Sequence, residues 1–146
     1  MNEKLKQLYQ SVILQHNNHP VGYGKREGSA YTLDAYNPLC GDRFQLFFSL
    51  EDGRITGLGF HGYGCAISKA ATSVLVKHLE GQPVQRALEM CRAFEAVVQP
   101  DAPAPSATEE DFEAFAAARE FPGRLKCATL SWEEISRFLE AQGVGG

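Results

Sequence analysis

The feature that most constrains this chain is a change of hydrophobic period near its middle. Between residues 31 and 60 apolar positions alternate. Tyr31, Leu33 and Ala35 share one face of a first predicted strand, and Phe44, Leu46, Phe48 and Leu50 share one face of a second. Asp52-Gly53 supplies the positive backbone angles of a tight hairpin turn, and residues 55–60 supply a third strand. Beyond residue 65 the period becomes helical. A helix is predicted over 66–80, closed by Gly81. A second starts at Pro83 and carries Ala87, Cys91, Phe94 and Val98 at helical spacing. A last one sets Leu125, Ala128, Trp132, Ile135 and Leu139 on one stripe and closes at Gly143. Ahead of the strands, Leu5, Leu8, Tyr9 and Val12 mark an amphipathic helix that ends before Asn17-Asn18-His19-Pro20. This segregation predicts an α+β fold: a small three-stranded antiparallel sheet with helices packed on one face.

At 146 residues, 44% hydrophobic and 22% charged, the chain suits one compact domain, 1–146. Pro100-Asp101-Ala102-Pro103-Ala104-Pro105 forms a stiff connector. Ser106 and Glu109 make a capping box for a short helix with Phe112, Phe115 and Ala116, which Phe121-Pro122-Gly123 ends. A net charge of −4 and the lack of a basic stripe exclude a nucleic-acid binder, which needs positive charge to displace counterions from phosphates. No apolar run approaches the ~18 residues of a membrane span, and the start Met1-Asn2-Glu3-Lys4-Leu5 lacks a secretory core. The expected location is cytoplasmic, where four cysteines point to metal binding or catalysis rather than disulfides.

Three of these cysteines lie where elements begin or end. Cys40 is in the turn Asn37-Pro38-Leu39-Cys40-Gly41-Asp42, separated by one residue from the carboxylate of Asp42. A bent backbone there can aim both groups at one point. Cys65 opens a helix, where the positive end of the helix dipole favours an anionic sulfur. Cys127 falls in the first turn of the last helix behind Arg124 and Lys126. Those charges either tune Cys127 or steer an acidic partner, or they are simply solvated charges at a helix start. Cys91, on the apolar stripe of its own helix, reads as core. His16, His19 and His78 read as surface or capping residues, and His61 as a turn residue beside glycines rather than a ligand. The wide cysteine spacing matches no short zinc pattern.

Taken together, Asn37-Pro38-Leu39-Cys40-Gly41-Asp42, Gly62-Tyr63-Gly64-Cys65-Ala66-Ile67-Ser68 and Arg124-Leu125-Lys126-Cys127-Ala128-Thr129-Leu130-Ser131-Trp132 resemble the three-cysteine pattern of the IscU/SufU (NifU N-terminal-like) iron-sulfur cluster assembly family. The resemblance implies that Cys40, Asp42, Cys65 and Cys127 converge on one metal, with Cys40 as the sulfur acceptor. It leans toward the SufU branch of zinc-dependent sulfurtransferases. IscU-type scaffolds carry a histidine immediately before the third cysteine and a Leu-Pro-Pro-Val-Lys segment upstream. Here Lys126 and Phe121-Pro122-Gly123-Arg124-Leu125 stand in those places. The stretch at about 99–120 resembles a SufU-type insertion. The implied cofactor is Zn²⁺, and the implied partners are a SufS-like cysteine desulfurase and downstream iron-sulfur assembly proteins. The alternative is an IscU-type scaffold that assembles and transfers a [2Fe-2S] cluster.

Overall fold

A computed structural model describes residues 3–39, 41–99 and 110–142. Three strands, β1 (Tyr31–Asn37), β2 (Asp42–Glu51) and β3 (Arg54–Tyr63), form an antiparallel meander in the order β1-β2-β3. Asp52 and Gly53 both take positive φ, 52° and 74°, as the hairpin between β2 and β3 requires. Among the described residues five α-helices accompany the sheet: α1 (Glu3–Asn18), α2 (Ala66–Leu79), α3 (Val84–Val98), α4 (Glu110–Ala114) and α5 (Leu125–Ala141). The expected α+β fold is therefore present. The boxed start of the short helix at Ser106 and Glu109, and the closure at Gly143, lie outside the described residues.

The alternation of β2 buries Phe44, Leu46 and Phe48 completely. On β3 the inward positions are Ile55, Leu58 and Phe60, a set that simple alternation cannot produce. A bulge resolves this. Phe47 pairs with Gly59 but Ser49 pairs with Thr56, so β3 carries one extra residue across that interval and its phase flips. The amides of Gly57 and Leu58, turned out of the ladder, donate to the Glu80 carboxylate at 3.2 and 2.6 Å. Glu80 is the residue that ends α2, so the bulge also fastens that helix to the sheet.

β3 continues three residues past the predicted limit of 60, and His61 pairs with Gln45 inside the ladder. The expectation of a turn at His61 is thus corrected. The cause is Gly62, whose φ of 145° lets β3 pass so close to β2 that a Cβ there would sit 2.2 Å from the Arg43 carbonyl. The strand can therefore run on through the glycines and deliver Cys65 directly to the start of α2.

α2 and α5 lie against the sheet, α1 packs on α2, and α3 packs on α5. Trp132 of α5 sits at the middle of this layer, fully buried. Its ring stacks on Phe94 with centroids 4.3 Å apart, meets Phe112 edge-on, and its indole N–H donates to the Ala71 carbonyl at 3.0 Å. α2 and α5 also share a buried hydroxyl pair. Thr72 donates its proton to the Ser68 carbonyl at 2.8 Å, so the 2.8 Å contact with Ser131 requires Ser131 to be the donor. The 3₁₀ turn over Phe115–Glu120 closes against α3, where the Arg119 guanidinium donates to the Val97 and Ala96 carbonyls at the end of that helix.

Two histidines differ from the sequence expectation. His16 is buried, at 2% exposure, and His78 is half-buried against Asp111 and the Phe112 ring. His16 lies four residues beyond Val12, so it continues the apolar stripe of α1 and is carried into the α1–α2 contact. There Ser73 Oγ accepts the Val21 amide at 2.7 Å and lies 2.7 Å from His16 Nδ1. A neutral imidazole with its proton on Nε2 can accept the Ser73 hydroxyl proton at that contact. Burial lowers the His16 pKa, against an opposing effect of Asp111, while Lys77 and His78 reinforce the lowering. Asp111 is held well below the usual carboxylate range, chiefly by its hydrogen bond to His78.

Two outcomes are expected. Trp132→Ala should cost roughly 3–5 kcal/mol, read as a fall in the urea midpoint, because it leaves a cavity and frees the Ala71 carbonyl. For His16 the folded pKa lies below the unfolded one, so its stabilising contribution is complete above about pH 6.5 and declines as pH falls toward the folded value. The Tm advantage of wild type over His16→Gln should shrink between about pH 7.5 and 5. A pH-independent difference would contradict the neutral assignment.

Candidate metal centre

Three elements bring their ends to one point. β2 begins at Asp42, which is 4% exposed. α2 begins behind Cys65, its N-cap residue. α5 carries Cys127 as its third residue, also 4% exposed. One ligand atom from each of Asp42, Cys65 and Cys127 lies within 4.8 Å of the other two. Cys40, the remaining residue of the expected set, lies outside the described residues, two positions before Asp42 in the chain.

The carboxylate of Asp42 organises this junction. Oδ1 accepts the Cys65 backbone N–H at 3.1 Å, and Oδ2 accepts the Cys65 thiol at 3.7 Å. The first contact does for α2 what a capping side chain normally does, since Cys65 makes no side-chain cap of its own. Ser68 supports the other side, donating to the Cys65 carbonyl at 3.1 Å and lying 3.5 Å from Cys65 Sγ. Gly64 is required here, because a Cβ would fall within 2.5 Å of Ser68 Oγ and 2.8 Å of the Phe44 ring.

The donor chemistry fits a transition-metal ion of borderline softness. Two sulfurs and one carboxylate oxygen, partly buried and mutually adjacent, could fill three positions of a tetrahedral zinc shell, leaving the fourth to one further donor. Among the described residues the carboxylate's hydrogen bonds go to Cys65, the residue that a metal would also engage, so binding would exchange the thiol proton for the ion.

The neighbouring charges divide. Lys126 is exposed and paired with Glu133, which also accepts from Thr129, so its solvated reading holds. Arg124 instead lines a cavity of about 500 Å³ together with Tyr9, Cys65, Ala66, Ile67 and Phe121. Around the same end of the molecule, Leu39 is 94% exposed and Tyr63 65% exposed, an apolar rim that the sequence did not single out. Cys91 is fully buried, and burial pushes its thiol well above the ordinary value, with Glu95 adding to the effect, as its core reading requires. His61, in β3, is not part of the cluster.

Tyr9 was legible only as part of the stripe of α1. In the structure its ring stacks near Phe121 and meets Phe115 edge-on, while its hydroxyl is buried with no hydrogen-bond partner among the described residues. Burial first, then the nearby Cys65 and Cys127 sulfurs against an opposing Arg124, push its pKa up to about 12. The phenol therefore stays protonated at neutral pH. A tyrosine on an apolar stripe is itself the signal, because a buried phenol normally finds a partner.

Comparison with known proteins places these features in one family. Residues 8–128 match the NifU-like N terminal domain. The chain is 35% identical over 145 residues to the zinc-dependent sulfurtransferase SufU of Bacillus subtilis, covering 99% of this chain and 97% of that one. It is 32% identical over 143 residues to the iron-sulfur cluster assembly scaffold protein IscU of Streptococcus pyogenes, covering 95% of this chain and 89% of the other. The crystal structure of FiSufU from Fervidobacterium islandicum AW-1, described as a scaffold protein for the SUF system, superposes with a TM-score of 0.80 at 28% identity, over 92% of this chain and 96% of that chain. The chain therefore belongs to the NifU-like N-terminal domain family, the IscU/SufU family of iron-sulfur cluster assembly proteins.

Proposed function

We propose that this protein is a zinc-dependent sulfur acceptor and carrier that takes persulfide sulfur from a cysteine desulfurase for iron-sulfur cluster assembly. The observation that carries the reading is the convergence of Asp42, Cys65 and Cys127, from three separate elements, to within 4.8 Å. Its likeness to the zinc-dependent SufU of Bacillus subtilis across almost the whole chain supports zinc over other ions. Asp42, Cys65 and Cys127 would hold the metal together with Cys40. Bound Zn²⁺, which has no redox chemistry of its own, would favour the anionic form of the sulfurs and shield them from oxidation.

Cys40 is the residue assigned to the transfer. Its thiolate attacks the outer sulfur of the donor's persulfide. A sulfur-sulfur bond forms at Cys40 as the donor's own sulfur-sulfur bond breaks, and the electron pair leaves on the donor cysteine as a thiolate. No external oxidant or reductant is needed. The donor is a SufS-like cysteine desulfurase, and the carried sulfur passes on to iron-sulfur assembly proteins. The exposed Leu39, adjacent to Cys40 in the chain, and the exposed Tyr63 offer apolar contact area for such a partner around the sulfur centre.

The scaffold reading, assembly of a [2Fe-2S] cluster on the same cysteines, is favoured by the likeness to the IscU of Streptococcus pyogenes. Against it, Lys126 occupies the position of the scaffold-type histidine and is drawn into an ion pair with Glu133. A charged lysine has no lone pair to offer a metal.

Incubation with a cysteine desulfurase and cysteine should add one sulfur atom to Cys40, read by mass spectrometry, and Cys40→Ser should abolish that addition. Normal sulfur acceptance by the variant would overturn the assignment. Asp42→Ala should weaken zinc retention by about tenfold or more in a chelator competition, since it removes both a ligand and the group that orients Cys65. Retention equal to wild type would remove Asp42 from the ligand set. Anaerobic reconstitution with iron and sulfide should give no stable cluster, and a stable, transferable [2Fe-2S] cluster would favour the scaffold instead.

A further inference from the structure

The helices cover one face of the sheet, the face into which Phe44, Leu46 and Phe48 point. The opposite face carries two rows of side chains set by the strand register. Tyr36, Arg43 and Tyr63 form one row, and Asp34, Gln45 and His61 form the next. Tyr36 and Tyr63 are exposed. Arg43 is held between them. Its Nε and Nη2 donate to the two carboxylate oxygens of Asp34 at 3.1 and 2.8 Å, and its guanidinium lies 5.5 Å from the centre of the Tyr36 ring. At the edge of β3, Tyr23 continues this surface. Its hydroxyl donates to the Gly62 carbonyl at 2.8 Å, its ring lies against His61, and Lys69 Nζ sits 5.0 Å from the ring centre.

A cavity of about 300 Å³ opens on this face, lined by Lys25, Arg43, Gln45, His61, Gly62 and Tyr63. All five of the side chains around it can donate a hydrogen bond, and two of them are cationic. Among the described residues no carboxylate lines it, and Lys25 has no ion-pair partner. The one carboxylate in the two rows, Asp34, is already engaged by Arg43. On a chain of net charge −4 this is a local reversal of sign, and it is complementary to an acidic group. Two cations are too few to neutralise a run of phosphates, and the charge of the whole chain opposes a polyanion. An acidic protein segment brings fewer charges, and its apolar side chains can lie on exposed tyrosines, which with arginine are the residue types enriched at protein interfaces.

We infer that this face of the sheet docks an acidic segment of a partner protein, one carboxylate seated between Lys25 and Arg43 and the adjoining apolar side chains resting on Tyr36 and Tyr63. Arg43 follows Asp42 in the chain and Tyr63 precedes Cys65 by two positions, so the docked partner lies at the end of the sheet that holds the sulfur centre, on the side away from the helices. The inference stands on the sheet face and not on the zinc reading.

The test is a titration of the isotope-labelled full chain with a short capped peptide in which glutamate alternates with leucine, read by backbone amide shifts. The amides of Lys25, Arg43, His61 and Tyr63 should move together, the affinity should fall as salt is raised, and a counterpart peptide with glutamine in place of glutamate should bind at least about fivefold more weakly. Lys25→Glu combined with Arg43→Gln should abolish the shifts at an unchanged melting temperature, since both side chains are exposed. Equal binding of the glutamine peptide to wild type, shifts confined to another surface, or tighter binding of an oligothymidylate would each overturn the inference. So would free glutamate binding as tightly as the peptide, because the cavity would then be a small-molecule site.

Discussion

The contact on which the rest of the site depends is the one between the Asp42 carboxylate and the Cys65 amide. It ties the first residue of β2 to the N-cap of α2, two points 23 positions apart in the chain, at 3.1 Å. A helix start carries unsatisfied amides and the positive end of a dipole, so a buried carboxylate is stabilised there even without a metal. The same carboxylate that caps the helix is therefore already aimed at the sulfur beside it. Structure and chemistry draw on one group.

Delivering the third ligand atom is a problem of packing between helices. Cys127 reaches the site because α5 is fixed against α2 along its length, by the Trp132 indole on the Ala71 carbonyl and by the Ser131 hydroxyl on Thr72. Thr72 in turn donates to the Ser68 carbonyl, and Ser68 contacts Cys65. A chain of buried hydrogen bonds thus runs from the core to the sulfur centre, and each link is satisfied within the α2–α5 interface. Such networks specify one relative placement of two helices where apolar packing alone would tolerate several. On the sheet side, the bulge in β3 and its capture by Glu80 set the far end of α2 with similar definition.

Much of this was legible in the amino-acid sequence, for identifiable reasons. The hairpin at Asp52-Gly53, the alternation of Phe44, Leu46 and Phe48, and the stripe through Trp132 follow from local rules, and each element formed where those rules put it. The placement of Cys65 and Cys127 at helix starts was legible in the same way. What failed depended on contacts between distant segments. β3 outran its predicted limit because Gly62 permits close passage against Arg43, and His16 was buried by the packing of α1 on α2. The Tyr9 hydroxyl, buried without a hydrogen-bond partner among the described residues, showed in the sequence only as a tyrosine on an apolar stripe.

The central claim is that one metal is held by sulfurs from three parts of the chain and by one carboxylate. X-ray absorption at the zinc edge of the loaded protein tests it most directly. The account predicts a first shell of three sulfur scatterers and one oxygen, with one sulfur lost in Cys40→Ser and the oxygen replaced or lost in Asp42→Ala. A shell dominated by imidazole nitrogen, or a sulfur count unchanged when Cys40 is substituted, would contradict it.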